Sequence, residues 1–133
     1  MIEDWHGYIA KAEENLKAAE HAFGQGWCDV VGSRAYYAAF HAAIALLQRF
    51  TSYRPDRQKG RVRWPHAAVQ AQCSNLLVRA KILPSEHKST LPELMGYRET
   101  ADYGSDSLSK RFAKEALKKA KDFVTIASTR ING

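Results

Sequence analysis

Two stripes carry polar side chains where a helical pattern asks for apolar ones. The first is Val31, Arg34, Ala38, His41 and Ala45. Arg34 and His41 are seven residues apart, nearly two full turns, so they share a helix face with Tyr37 between them. The second is Leu91, Leu94, Arg98, Ala101 and Asp102, in which Arg98 and Asp102 are four apart and also share a face. An unpaired charge is costly to bury, so these groups must meet partners or line a solvent-filled groove. Two arrangements satisfy that demand. One is an ion-pair and hydrogen-bond network locking two helices, with Arg34 or Arg98 against Asp102. The other is a phosphate-binding groove, in which arginines offer bidentate donors and a histidine or tyrosine shuttles a proton.

Other chemistry is not signalled. The chain has no HExxH, no phosphate-cradling glycine loop and no GxSxG. Its isolated histidines lack metal-ligand spacing, so no metal or cofactor is expected. His66, just after Trp64-Pro65, is expected as a cap or surface residue, and His6, His21 and His87 as exposed ones. Cys28 and Cys73 are far apart without a CxxC, which predicts buried, reduced thiols.

The elements that must hold these stripes are helices. Trp5, Tyr8, Ile9, Ala12, Leu16, Ala19 and Phe23 recur at three- and four-residue spacing, which predicts a first helix ended by Gly24 and Gly26. A second runs from about Trp27 to Phe50. Its middle is rich in Gly and Ala and apolar on nearly every side, so it is expected at the centre. Residues 51–64 have no apolar periodicity, contain Pro55 and Gly60, and are expected as a mobile loop. Pro65 opens a third helix with Val69, Cys73, Leu76, Leu77 and Ala80 buried, and Pro84 stops it. Thr90 and Glu93 fit a capping box that starts a short fourth helix ending at Gly104. The last helix is expected from near Ser107, with Leu108, Phe112, Ala116, Ala120, Phe123, Ala127 and Ile131 as its apolar stripe. With no hairpin signal, a sheet is not expected. The fold class predicted is all-α, an antiparallel up-and-down bundle of four main helices plus a short one, in a single domain spanning residues 1–133.

The 133 residues are 45% apolar, enough for one core but not for a separate cofactor domain. The longest apolar run, Ala35 to Leu47, falls short of the roughly 20 residues of a membrane span. The acidic start lacks a signal-peptide core, so no membrane association and a cytoplasmic location are expected. The net charge of +6 is unevenly spread. Residues 1–22 hold five acids against two bases. Residues 49–63 hold six bases against one acid, and residues 107–133 seven against two, so each carries +5. Such segments suit either a polyanionic partner or a solubilising surface.

The run Ser33-Arg34-Ala35-Tyr36-Tyr37-Ala38-Ala39-Phe40-His41-Ala42-Ala43 resembles the central-helix signature of HEPN domains. The later Tyr97-Arg98-Glu99-Thr100-Ala101-Asp102-Tyr103-Gly104 is similar to the RxxADY segment of one subgroup. Ala12-Glu13-Glu14-Asn15-Leu16-Lys17-Ala18-Ala19 also fits, and the resemblance covers nearly the whole chain. It implies a four-helix bundle with a short extra helix, commonly a homodimer. It also implies a nucleotidyltransferase partner, some such pairs acting as toxin and antitoxin. Other members are metal-independent endoribonucleases that cleave RNA through its own 2′-hydroxyl. Their motif is an arginine, usually a polar residue next, and a histidine four to six residues on.

Here Arg98 matches that arginine and Glu99 is polar, but no histidine follows in the window. Tyr103 takes the shortest-spaced histidine position, and a tyrosine hydroxyl is a poor base near neutral pH. Arg34 and His41 have the right gap but lie in the other helix, and Ala35 is not polar. Three readings follow. In the first, the domain binds nucleotide or RNA beside a nucleotidyltransferase, its groove lined by Arg34, Tyr37, His41, Arg98, Asp102 and Tyr103. In the second, it is a ribonuclease toxin in which Arg98 works with His41 or Tyr103. In the third, it is a structural interaction module with Arg34, Arg98 and Asp102 as a buried network.

Overall fold

The computed structural model describes residues 5–58 and 60–133; the side chains of residues 56–58 and 61 lie outside that description. The acids Glu3 and Asp4, the cation Lys59, and the charged groups of Asp56, Arg57 and Arg61 therefore fall outside the described structure, which leaves the expected basic segment 49–63 only partly placed.

Five α-helices account for most of the chain: α1 (Trp5–Gly24), α2 (Cys28–Phe50), α3 (His66–Gln72), α4 (Thr90–Tyr103) and α5 (Lys110–Asn132). The four long ones form the bundle. The link between α1 and α2 is three residues, with Gly26 at φ +77°, a left-handed turn that glycine adopts without a Cβ penalty. Ser109 caps α5, its hydroxyl accepting from the Phe112 N–H. That cap sets the start three residues beyond Ser107.

The second helix is the centre, packed against α1, α4 and α5. Ala35, Ala38, Ala39, Ala42, Ala43 and Ala45 are fully buried along it. Small side chains let three neighbours approach at once. The closest approach is at Gly32, where a Cβ would stand 3.0 Å from both the Ala101 Cβ and a Leu108 methyl carbon. At 23 residues, α2 is long and apolar enough to cross a membrane by length and composition, which the shorter apolar run did not suggest. Most of it is covered by the other helices, as a core helix must be.

Several expectations are corrected. Residues 51–64 are not a plain loop, since β1 (Asp56–Gln58) pairs antiparallel with β2 (Arg61–Arg63). Gly60, at φ +77°, turns the chain between them. The third helical segment does not continue as an α-helix to Pro84. After Gln72 it widens into a π-helical turn, Cys73–Val78, and Lys81 takes a left-handed φ of 61°. Wider winding rotates the buried face. Leu77 and Leu83 point inward, while Leu76 and Ala80 are exposed.

The expected capping box at Thr90 is not formed. A 3-10 turn, Ser85–Ser89, runs straight into α4, so Thr90 is already helical and buried. Its hydroxyl meets His87 Nδ1 at 3.0 Å, and Glu93 accepts from the Ser89 hydroxyl at 2.8 Å. Phe112 is 44% exposed rather than buried, because the inward positions of α5 are Ala113, Ala116, Ala120, Phe123, Val124, Ala127 and Ile131.

Candidate functional site

The two polar stripes meet where α4 crosses α2. Tyr37 is the shared surface. The Arg34 guanidinium carbon lies 5.2 Å from its ring centroid, and that of Arg98 also lies 5.2 Å away. Arg98 additionally stands 5.7 Å from the ring of Tyr36. A ring face attracts a cation through its quadrupole, so the two phenols hold guanidiniums that would otherwise repel each other.

Each arginine is steadied at its edge. Arg34 donates to the Asn15 side-chain oxygen at 2.9 Å, which ties the site to α1. It does not pair with Asp102. Arg98 does: its Nε is 3.2 Å from an Asp102 carboxylate oxygen, one helical turn on. That contact is an ion pair without hydrogen-bond alignment, and Nε is buried with no hydrogen-bond partner among the described residues. One Nη contacts the Met95 sulfur at 3.7 Å, a weak acceptor. Arg98 thus keeps much of its bonding capacity unspent in a half-buried position.

The histidine beside Arg98 is one for which spacing offered no role. His66, the first residue of α3, is neither a cap nor a free surface group. Its Nδ1 lies 2.6 Å from the Tyr36 hydroxyl. Its ring stacks on Phe40 at 4.5 Å and meets Tyr37 edge to face at 6.1 Å. Burial lowers its pKa, and the charges of Arg98 and Arg63 lower it further. Burial likewise pushes the Tyr36 phenol up to about 12, although the Gln70 side chain and Arg98 pull the other way. Near neutral pH the pair is therefore an uncharged imidazole against an intact hydroxyl.

The remaining predicted residues are spread around this centre. His41 sits one turn beyond Tyr37, its Nδ1 donating to the Tyr37 carbonyl at 2.8 Å and its ring stacked on Tyr8. Its pKa is lowered first by burial, then by Lys11 and Arg34. Arg98 is not among the charges that act on it. Tyr103 ends α4 and is 76% exposed. Four of the seven cations of α5 meet carboxylates: Arg111 with Glu115, Lys118 with Asp122, Lys119 with Glu93 and Lys121 with Glu20. Glu93 and Glu20 lie on other helices, so those two pairs offset part of the positive charge of α5.

Among the described residues no cluster of three His, Cys, Asp or Glu could hold a metal. Cys73 is buried, its thiol pushed up to about 12 by desolvation, whereas Cys28 is only half-buried. His87, expected at the surface, is half-buried against Thr90 and Phe123.

Three histidines, His41, His66 and His87, have pKa values lowered by burial. The unfolded chain takes up their protons near the ordinary histidine pKa of about 6.5, while the folded chain resists until lower pH. Stability from this source is complete above that value and falls as the pH drops below it. Thermal melts between pH 7 and pH 5 should show a falling Tm; a flat or rising Tm would contradict the burial of these rings.

A family model described as HEPN domain matches residues 5–130. A protein of Methanocaldococcus jannaschii whose name proposes that it is a toxin is 28% identical over 109 residues. That match covers 82% of this chain and 68% of the relative.

Proposed function

We propose, from the premise that this chain belongs to the HEPN family, that it is an RNA-directed toxin-like protein whose Arg34–Tyr37–Arg98 cluster receives a phosphodiester. The observation that carries the reading is Arg98, stacked over two phenols with a buried Nε that no described residue hydrogen-bonds. A phosphate oxygen arriving at the Nη edge of the guanidinium meets donors pre-oriented by the stacking rings and by the ion pair of Nε with Asp102 at 3.2 Å. The likeness to a relative named as a proposed toxin supports the same reading. RNA is cleaved in this scheme by attack of its own 2′-hydroxyl, and Arg98 stabilises the charge that develops on phosphorus-bound oxygen. Two chains form a homodimer in the cytoplasm, where the substrate is found. Induced expression in a bacterial host tests this. Growth arrest by the wild-type chain that Arg98→Ala relieves is the expected result; unimpeded growth with abundant folded protein would end the reading.

A nucleotidyltransferase partner is a second reading, favoured by Tyr103. Its ring is 76% exposed at the end of the helix that carries Arg98, within reach of another protein. Co-expression with a neighbouring nucleotidyltransferase should give a complex that survives purification at micromolar concentration, and separate elution would remove the claim.

A further inference from the structure

We propose that His66, seated on Tyr36 beside Arg98, is the proton acceptor of the site, a role that the arginine-to-histidine spacing of α4 leaves vacant. The inference rests on the reading that this cluster takes RNA, and it names the group that performs the chemistry.

Geometry selects His66 over the other candidates. Arg98 and His66 converge on the same two rings. The Arg98 guanidinium lies 5.7 Å from Tyr36 and 5.2 Å from Tyr37, and the His66 ring lies 5.5 Å and 6.1 Å from them. A phosphate held by Arg98 thus has an imidazole as its neighbour. His41 also borders Tyr37, at 6.3 Å, but its other ring contacts are Tyr8 and Phe40 rather than Tyr36, the ring that Arg98 and His66 share. Tyr103 stands out in solvent at the helix end.

The Tyr36 contact supplies what a base requires. A hydroxyl can accept as well as donate, so the 2.6 Å contact accommodates His66 with its proton on Nδ1. Nδ1–H then donates to the Tyr36 oxygen, and the Nε2 lone pair is left to accept a proton. Tyr36 is fully buried and Phe40 stacks on the imidazole, so the ring is fixed in plane and direction. The charged groups facing it are Arg98 from α4 and Arg63 from β2, with Tyr36 and Tyr37 from α2. Two cations and a low-polarity wall keep the ring unprotonated near neutral pH, which is the form that accepts a proton.

The step balances with RNA alone. Nε2 takes the proton of a ribose 2′-hydroxyl as that oxygen bonds to phosphorus. The bond from phosphorus to the 5′-oxygen breaks, and the 5′-oxygen takes a proton from water. A 2′,3′-cyclic phosphate and a 5′-hydroxyl result, and His66 returns its proton to solvent. Tyr36 acts through His66 and is a positioning residue.

The test is cleavage of a short single-stranded RNA, with chelator present, by the wild-type chain, His66→Ala and His66→Asn. Circular dichroism first establishes that each is folded. Loss of a positioned base should slow cleavage by at least about 100-fold. Added imidazole should restore part of the rate in His66→Ala, because the small base fills the vacated space. If His66→Ala does not fold, His66→Asn, which can still bond the Tyr36 hydroxyl, decides by its rate. Folded variants that cleave at the wild-type rate would overturn the assignment and leave the ribonuclease reading standing. So would a loss in folded His66→Ala that imidazole cannot restore. Wild-type protein that binds the RNA by fluorescence anisotropy without cleaving it would overturn the assignment but keep the phosphate site. Neither binding nor cleavage would overturn both.

Discussion

Arg98→Ala should reduce chelator-resistant RNA cleavage by about 100- to 1,000-fold, the loss seen when a donor aimed at developing transition-state charge is removed. The reasoning starts from position. The side chain is anchored over Tyr36 and Tyr37 and flanked by Asp102, so its donors are aligned before substrate arrives. Little reorganisation is then needed when charge appears on the phosphate. Arg98→Lys should recover only a small part of the rate, because an ammonium keeps the charge and loses the planar fork. Rate and melting temperature measured on the same preparations separate this from a purely structural network. If Arg98→Ala lowers Tm but leaves RNA binding and cleavage untouched, Arg98 and Asp102 serve the fold, and the cluster is not a phosphate site.

Phe123→Ala should cost about 3–5 kcal/mol, the range for truncating a buried aromatic side chain. Phe123 is fully buried on the inward face of α5 and meets the His87 ring edge to face. Its removal takes away apolar burial and leaves a cavity between elements that cannot close without moving α5 from the core. A domain of this size is usually stable by about 5–15 kcal/mol in all, so this variant should be near the edge of folding. Phe112→Ala, eleven residues earlier on the same helix, should cost about 1 kcal/mol or less, because that ring is 44% exposed. Urea titrations of both variants check the contrast. Equal shifts of midpoint at unchanged slope would mean that the assigned inward face of α5 is wrong.

The helical bundle is legible in the chain because helix formation is written in local spacing. Three- and four-residue apolar recurrence marks α1 and α5, and Gly24, Gly26 and Gly104 mark where helices end. The small residues of α2 declared its central place, since only a helix approached on several sides needs so little side chain. The Arg98–Asp102 pair was legible for the same reason, being one turn apart on one helix.

Contacts between partners far apart in the chain come only from packing. No spacing rule connects Tyr36 to His66, thirty residues on, or Arg34 to Asn15 on the preceding helix; helix packing brings those atoms together. A single histidine after Trp64-Pro65 carries no periodic signal, so spacing alone reads His66 as a cap or surface residue. It becomes part of a site because α3 lays its first residue on Phe40 and Tyr36. The π-helical turn acted similarly on a larger scale. Periodicity assumes constant winding, and a local change of winding turned Leu76 outward while Leu77 remained inside. Local order is encoded residue by residue, whereas a site exists only where separate helices are pressed together by a shared core.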